Sequence, residues 1–197
     1  MGKVKSLDKI RKFFKESPVV DIGSLKRFLG KKQSKDYIYT VINHLIKRKE
    51  IVVLTKGYYT IHDETPLIVF CFKPSYLGLQ DAMSLHGIWE QETVPIVLTT
   101  RKVRTGIRKV MGMNVLIRRI DSKYFFGFDY YKSGDFYFPY SDVEKTFIDM
   151  VYFKQPLDEE NILEFNKKID KKKLRDYLKK YPKRFRDKVM LNLKKKI

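Results

Sequence analysis

Residues 34–61, SKDYIYTVINHLIKRKEIVVLTKGYYTI, hold the pattern around which the N-terminal part of this chain is organised. Ser34 is a suitable N-cap, because its hydroxyl can accept a hydrogen bond from an unpaired N–H of the first helical turn. The apolar residues that follow recur at helical spacing, and they are Ile38, Val41, Ile42 and Leu45. The pattern therefore predicts an amphipathic helix over residues 34–49.

The opposite side of this helix is polar. At about 100° per residue it carries Asp36, Thr40, Asn43 and Lys47, with Lys35 and Tyr39 at its edge. Two runs of β-branched and aromatic residues, 51–54 and 58–61, predict a pair of strands. Gly57 can take a positive φ in the turn between them, beside Lys56. A helix followed by a hairpin with a basic tip, here residues 51–61, is typical of a winged helix-turn-helix.

The residues upstream supply the other helices that such a fold needs. An apolar stripe predicts a first helix over residues 6–16, and residues 19–20 predict a short strand. Asp21 can cap a second helix that Gly30 stops, and its apolar side is formed by Ile22, Leu25, Phe28 and Leu29. The alternative is that the helix and hairpin belong to the surface of an ordinary α+β domain.

Charge is the strongest global feature of the chain. The net charge is +19, and it is concentrated at the two ends. Residues 1–61 carry 15 Lys or Arg against 5 Asp or Glu, residues 62–156 carry 12 against 11, and residues 157–197 carry 15 against 7. Basic ends around a neutral middle favour a polyanion as partner, because each neutralised phosphate releases condensed counterions. A Lys-rich solvated surface is the alternative interpretation.

The predicted partner is double-stranded DNA, with the helix 34–49 in the major groove and the tip of the hairpin 51–61, near Lys56, beside the backbone or the minor groove. Asn43 and Thr40 are expected at base edges, since they lie opposite the apolar stripe. The full set of residues expected to contact DNA is Lys31, Lys32, Ser34, Lys35, Tyr39, Thr40, Asn43, Lys47, Lys56 and Tyr58.

The fold class predicted for the whole chain is α+β. A winged helix-turn-helix over residues 1–63 is expected to precede an α/β domain over 64–156 and a basic helical extension over 157–197, packed on the second domain. In the middle domain, strands are predicted at 67–72, 95–100, within 110–120, at 124–131 and at 136–140. Helices are predicted at 74–88 and after a capping box formed by Ser141 and Glu144. The basic residues of 101–109 are expected in a loop between two strands. They either contact phosphates or only keep this long loop solvated.

No catalytic residue, cofactor or metal site is predicted. The chain has no glycine-rich loop for nucleotide phosphates and no Cys/His spacing suited to zinc. Asp142, Glu144 and Lys145 are the nearest approach to a nuclease-like set, but the capping box already accounts for Glu144. No apolar run approaches the roughly 20 residues that span a bilayer, so no membrane partner is expected. Cys71 is the single cysteine, so no intramolecular disulfide can form, and a cytoplasmic location is expected.

Several segments together resemble the AbiEi family, the antitoxins of abortive-infection type E toxin–antitoxin systems. The matching segments are Lys56-Gly57-Tyr58-Tyr59-Thr60, Pro74-Ser75-Tyr76-Leu77, Ala82, Leu85-His86-Gly87-Ile88, Pro95-Ile96-Val97 and Val143-Glu144-Lys145-Thr146-Phe147-Ile148-Asp149. They occur in the family's order and cover most of residues 1–156. Gly78 and Asp81 depart from the pattern, which has small hydroxyl residues there.

The resemblance implies a winged-helix repressor that binds its own promoter, often at inverted repeats. It also implies that the second domain counters a nucleotidyltransferase-like toxin, and it leaves open whether the toxin is contacted directly. One alternative function is an RNA-associated or nucleic-acid-processing protein with unrecognised chemistry in the middle domain. Another is a protein-interaction module whose surface is incidentally basic.

Overall fold

A computed structural model describes residues 2–30, with side chains from Leu7 onward, together with 34–91 and 93–194. The fold is mixed α+β, as predicted. The chain divides into two compact units, of which the first contains residues 1–71 and 109–113 and the second contains 72–108 and 114–197. The first unit therefore extends to Cys71, whereas the sequence analysis places its end at Asp63.

The first unit is built from helices and a small antiparallel sheet. Its described helices and strands are α1 (Gly2–Lys15), β1 (Val20–Asp21), α2 (Ile22–Leu29), α3 (Lys35–Lys47), β2 (Val52–Thr55) and β3 (Tyr58–Thr60). β3 lies between β1 and β2 and is antiparallel to both. The core joins apolar residues of all three helices, among them Ile10, Phe14, Leu25, Ile38, Ile42 and Leu45.

Two helix caps predicted from the sequence are confirmed. The Asp21 carboxylate accepts the backbone N–H of Ser24, and the Ser24 hydroxyl lies 3.2 Å from the Asp21 backbone N–H, so the two caps are reciprocal. The Ser34 hydroxyl accepts the N–H of Tyr37 at 3.1 Å at the start of α3. Both caps satisfy N–H groups that a helix start otherwise leaves unpaired.

The end of α3 has a different geometry. The N–H of Lys49 donates to Ile46 and that of Glu50 donates to Leu45, a Schellman arrangement, and Lys49 has a φ of 58°. The Glu50 carboxylate then accepts hydrogen bonds from Nε and Nη2 of Arg11, at 2.7 and 3.0 Å. This charge pair lowers the pKa of Glu50 to about 2 and ties α1 to the start of the hairpin.

Two predictions for the first unit are wrong in detail. The first helix begins at Gly2 and not at residue 6. No proline lies between these positions, so nothing prevents the helix from extending towards the N-terminus. Phe28, predicted to face inward, is 45% exposed, and its ring stacks on that of Phe13 at a centroid distance of 4.3 Å. Stacking on the surface covers part of each ring without placing Phe28 in the core.

A six-stranded sheet of order β6-β7-β5-β4-β9-β8 belongs to the second unit except for its residues within 109–113. These strands are β4 (Ser75–Leu77), β5 (Ile96–Thr99), β6 (Gly106–Val110), β7 (Met113–Arg119), β8 (Phe128–Ser133) and β9 (Phe136–Ser141). β5 is antiparallel to β4 and parallel to β7, whereas β4 is parallel to β9. The hairpin of β8 and β9 agrees with the predicted pair of aromatic strands.

Helices complete the second unit: α4 (Gln80–Leu85), α5 (Val143–Tyr152), α6 (Glu159–Lys168), α7 (Lys171–Leu178) and α8 (Lys183–Lys194). α5 is the central one and packs against the other four. Their shared core includes Met83, Phe147, Met150, Phe165, Leu174 and Val189. The described part of the basic segment 157–197 contributes Phe165, Leu174 and Val189 to this core.

The structure overturns several predictions for the middle of the chain. The apolar run 67–72 belongs to a 3₁₀ helix, Thr65–Phe72, because such a run fits a buried helix as well as a strand. The predicted helix 74–88 is a strand at its start, since β4 pairs with two neighbours, and only Gln80–Leu85 is helical. The expected loop 101–109 contains the start of β6, and the strand predicted at 124–131 begins only at Phe128.

Candidate nucleic-acid interface

The exposed side of α3 carries a ridge of residues spaced by four, which turns by about 40° around the helix axis at each step. Its members are Lys35, Tyr39, Asn43 and Lys47, all exposed. The two lysines at its ends lie about 18 Å apart along the axis, because an α-helix rises about 1.5 Å per residue. The apolar stripe on the other side is buried as predicted, with Ile38, Ile42 and Leu45 at 1% exposure or less. The helix is therefore held to the core by one side and presents the other to solvent.

The amide and the two ammonium groups of this ridge are not engaged by the described part of the chain. Neither Asn43 nor Lys35 nor Lys47 forms a side-chain hydrogen bond or ion pair with any residue that the structure describes. The Asn43 amide keeps both a donor and an acceptor available, and it lies between two cations. This arrangement suits a groove in which bases lie at the centre and phosphates at the walls.

Thr40 and Asp36 form a second row beside the ridge. The Thr40 hydroxyl donates to the backbone oxygen of Asp36 at 2.8 Å, so its proton is already used. Thr40 can still accept a hydrogen bond or offer its methyl group to an apolar partner. His44, four residues further on, is exposed in the same row and was missed by the sequence analysis, although the spacing from Thr40 indicates it.

The hairpin supplies the remaining described candidates. Lys56 is exposed at its tip, and Gly57 has the positive φ of 84° that the turn was predicted to need. Tyr58 is partly buried at the start of β3. Val52 and Val53 of the neighbouring strand are 38% and 44% exposed, an apolar surface that the sequence analysis did not single out. Lys31 and Lys32, the last two candidates, lie outside the described residues.

The polar groups of α5 in the second unit present the opposite case. The N-cap of α5 is Asp142, whose carboxylate accepts the N–H of Lys145 at 2.8 Å. The predicted capping box of Ser141 and Glu144 is wrong, because Ser141 still belongs to β9 and its hydroxyl bonds that of Thr146 at 2.7 Å. Glu144 is therefore not occupied by a cap.

Asp142 and Glu144 instead converge on one lysine of α7. The Nζ of Lys173 lies 3.1 Å from a carboxylate oxygen of each. Glu144 also accepts the backbone N–H of Asp170, and Asp142 accepts the hydroxyl of Tyr177 at 2.7 Å. These contacts fix the start of α7 against the start of α5. Sequence periodicity does not predict these contacts, because about 30 residues separate the partners.

A buried ion pair lies one turn further along α5. Lys145 and Asp149 are fully buried, and the Lys145 ammonium contacts the Asp149 carboxylate. The other Asp149 oxygen accepts the hydroxyl of Tyr76 at 2.7 Å, and the ring of Phe126 lies 5.3 Å from the ammonium. Burial lowers the pKa of Lys145 and raises that of Asp149, and their mutual attraction opposes both shifts. All these groups have partners, so the cluster stabilises the unit rather than forming an open reaction centre.

The residues that the structure describes include neither a metal-binding cluster nor a membrane-spanning helix. No group of three or more His, Cys, Asp and Glu side chains is placed to hold a metal ion in that part of the chain. Within the same residues, no helix is both long enough and apolar enough to cross a membrane.

Comparison with known proteins gives a likeness of fold. No protein-family model matches this chain, and a search of curated protein sequences gives no significant match. Among solved structures, the crystal structure of the RV2827C protein from Mycobacterium tuberculosis is similar, with a TM-score of 0.60 at 11% sequence identity. The similarity covers 96% of this chain and 76% of that one.

Proposed function

We propose that the first unit is a winged helix-turn-helix that binds double-stranded DNA, with α3 in the major groove and the β2–β3 hairpin beside the backbone. The observation that carries this proposal is the α3 ridge, where Asn43 and Tyr39 lie between Lys35 and Lys47. None of its charged or amide groups has a partner in the part of the chain that the structure describes. Recognition helices place base-reading side chains in this way.

Two further features support the assignment. The order of helices and strands, with a strand before α2 and a hairpin after α3, is the order of a winged helix. The first 61 residues also carry a net charge of +10, from 15 Lys or Arg against 5 Asp or Glu. Positive charge raises affinity for the DNA backbone through counterion release and does so for every sequence alike.

The biological role follows from the resemblance to the AbiEi family. We propose that the protein represses its own promoter and acts as the antitoxin of a nucleotidyltransferase-like toxin, in the cytoplasm and without an active site of its own. The antitoxin part rests on the segments of the second unit, such as residues 143–149, which match the family's pattern. The DNA-binding part rests on the geometry of α3.

The decisive experiment measures binding of the full-length protein to the DNA upstream of its own gene and to unrelated DNA, over a range of salt concentrations. The upstream DNA should bind more tightly, and log K should fall steeply with log salt. Changing Lys35, Lys47 or Lys56 to Gln should reduce that slope by about one unit each. Lys9→Gln on α1 removes the same charge outside the ridge and should leave the slope nearly unchanged.

Equal affinity for both DNAs, or a slope near zero, would reject the reader assignment. The antitoxin role is tested by expressing the adjacent gene product with and without this protein and measuring growth. Cleavage of nucleic acid that requires a divalent metal would instead support the alternative of a processing enzyme.

A further inference from the structure

The segment that begins just before β5 and ends just after β7, residues 93–120, is strongly basic. Residues 93–120 contain seven Lys or Arg and no Asp or Glu, although the surrounding segment 62–156 is almost neutral. Asp121, the next carboxylate along the chain, already lies 3.6 Å from Lys123. Apart from Lys109, these basic residues belong to the second unit, and they are not part of the α3 interface.

The fold gathers part of this charge around a cavity of about 370 Å³. The residues that line it are Val103, Thr105, Arg118, Arg119 and Phe153. The two arginines end β7, the threonine comes from the loop before β6, and the phenylalanine is the C-cap of α5. The lining contains no acidic residue, and the volume lies at the lower end of the range for small-ligand sites.

Arg118 has one buried donor that lacks an acceptor in the described part of the chain. The Nε of Arg118 is withdrawn from water and has no hydrogen-bond partner among the residues that the structure describes. A buried N–H without an acceptor is costly, so such groups in folded proteins usually have a ligand or an ordered water opposite them. Arg119, next to it, is exposed and adds a second guanidinium.

The C-terminus of α5 does not account for these arginines. Its last carbonyls are already taken, since Asp149, Met150 and Val151 accept the backbone N–H groups of residues 153–155. The arginines are therefore not needed as caps of the helix. Their chemistry fits a phosphate better, because guanidinium groups bind phosphate oxygens in a forked, charge-assisted geometry.

We propose that this cavity binds the phosphate group of a nucleotide, either free or within a nucleic acid strand. Arg118 and Arg119 contact the phosphate oxygens, Thr105 offers its hydroxyl, and the ring of Phe153 lies against the sugar or base. The site is separate from the proposed duplex reader in the first unit and does not depend on it.

The test uses the full-length protein with three probes: inorganic phosphate, ATP and a single-stranded oligothymidylate. Arg118→Gln and Arg119→Gln should each weaken binding of ATP or of the strand about tenfold. Arg175→Gln, which removes the same charge from the exposed side of α7, should bind like the wild type. If the cavity variants lose affinity only for ATP, the phosphate belongs to a free nucleotide. If they lose affinity only for the oligothymidylate, the phosphate belongs to a nucleic acid strand.

Equal binding of every probe by the wild type and both cavity variants would overturn the proposal. So would an equal loss in Arg175→Gln, since that would show a general effect of charge. A second measurement covers variants that fold poorly: ATP or the oligonucleotide should protect Arg118 and Arg119 of the wild type from phenylglyoxal, as read by peptide mass. Modification at the same rate with and without the probes would also reject the site.

Discussion

The helices α3 and α5 carry similar polar residues but use them in opposite ways. On α3, Lys35, Asn43 and Lys47 point to solvent and have no partner among the described residues. On α5, Lys145 and Asp149 are fully buried and satisfy each other. Residue type alone therefore does not separate a binding surface from a structural cluster. The hydrogen-bond partners of each polar group do separate them, because a buried polar group must be paired within the fold.

This difference bears on the segment that carries the family resemblance. Residues 143–149 contain charged and hydroxyl groups that suggest a surface for a partner. In the structure, every one of its polar side chains, namely Glu144, Lys145, Thr146 and Asp149, is buried and bonded inside the second unit. The pattern is thus explained by folding before any contact with a toxin is considered.

The largest expected effect is on the buried pair. Lys145→Met should lower the free energy of unfolding by about 3–5 kcal/mol, because it leaves the Asp149 carboxylate buried without its cation. The measurement is urea denaturation of the full-length protein. The double variant Lys145→Met with Asp149→Leu removes both charges and should recover most of the loss, leaving only the Tyr76 hydroxyl without its acceptor.

A loss of stability below about 1 kcal/mol for the single variant would show that Asp149 is hydrated or paired elsewhere. A double variant no more stable than the single one would show that packing, and not charge, is what Lys145 contributes.

The next effect belongs to α3 and should leave stability alone. Asn43→Ala should weaken binding to the preferred DNA by about 1–3 kcal/mol and relax base preference at one position. Because the side chain is exposed and has no described partner, the free energy of unfolding should change by less than about 0.5 kcal/mol. Competition binding with a library of altered sites measures both affinity and preference. Asn192→Ala on α8 is the control for DNA binding; its amide donates to the Lys188 carbonyl at 2.9 Å, so its stability is not compared with that of Asn43→Ala.

Unchanged affinity and unchanged base preference in Asn43→Ala would remove α3 from the major groove. Reduced stability would instead mean that Asn43 has a structural partner, which would weaken the contrast between the two helices.

The contrast also shows what a sequence can predict. The caps at Asp21 and Ser34 depend on residues three apart, and both were predicted. The contact of Lys173 with Asp142 and Glu144, and the pairing of β4 with β9, join residues far apart in the chain. Periodicity contains no information on such partners, so β4 was predicted as helix. Exposed candidates such as Asn43 could be named because amphipathic spacing alone defines the outer side of a helix.

A third effect concerns Asp81, a carboxylate of α4 whose described partners are neutral. It accepts the N–H of Ile96 at 3.1 Å and lies 3.4 Å from the Tyr140 hydroxyl, and burial raises its pKa to about 7. The unfolded value is about 3.9, so the folded state binds an extra proton between pH 4 and pH 7. Stability should therefore fall as pH rises through that window and then level off.

Asp81→Asn removes the titration and keeps an acceptor for Ile96. The free energy of unfolding of this variant, relative to that of the wild type, should rise by about 1–2 kcal/mol from pH 4 to pH 8. This is less than the whole pKa shift of Asp81 would give, because the side chain is partly exposed and solvent screens it. Thermal denaturation across the pH range measures the difference. A constant difference at every pH would mean that the carboxylate stays ionised in the fold.

The smallest effect returns to the junction of α3 and the hairpin. Lys49 has a φ of 58°, a left-handed conformation that costs an L-residue about 1–2 kcal/mol and costs glycine little. Glycine gains more entropy when the chain unfolds, so Lys49→Gly should stabilise the protein by only about 0.5 kcal/mol. Lys49→Ala removes the same charge but keeps the Cβ atom, and it should give no such gain. Denaturation of both variants, compared with each other, isolates the backbone contribution. If glycine is no better than alanine, the left-handed turn does not hold α3 at this angle to the strand, and the geometry of the ridge beside it must be reconsidered.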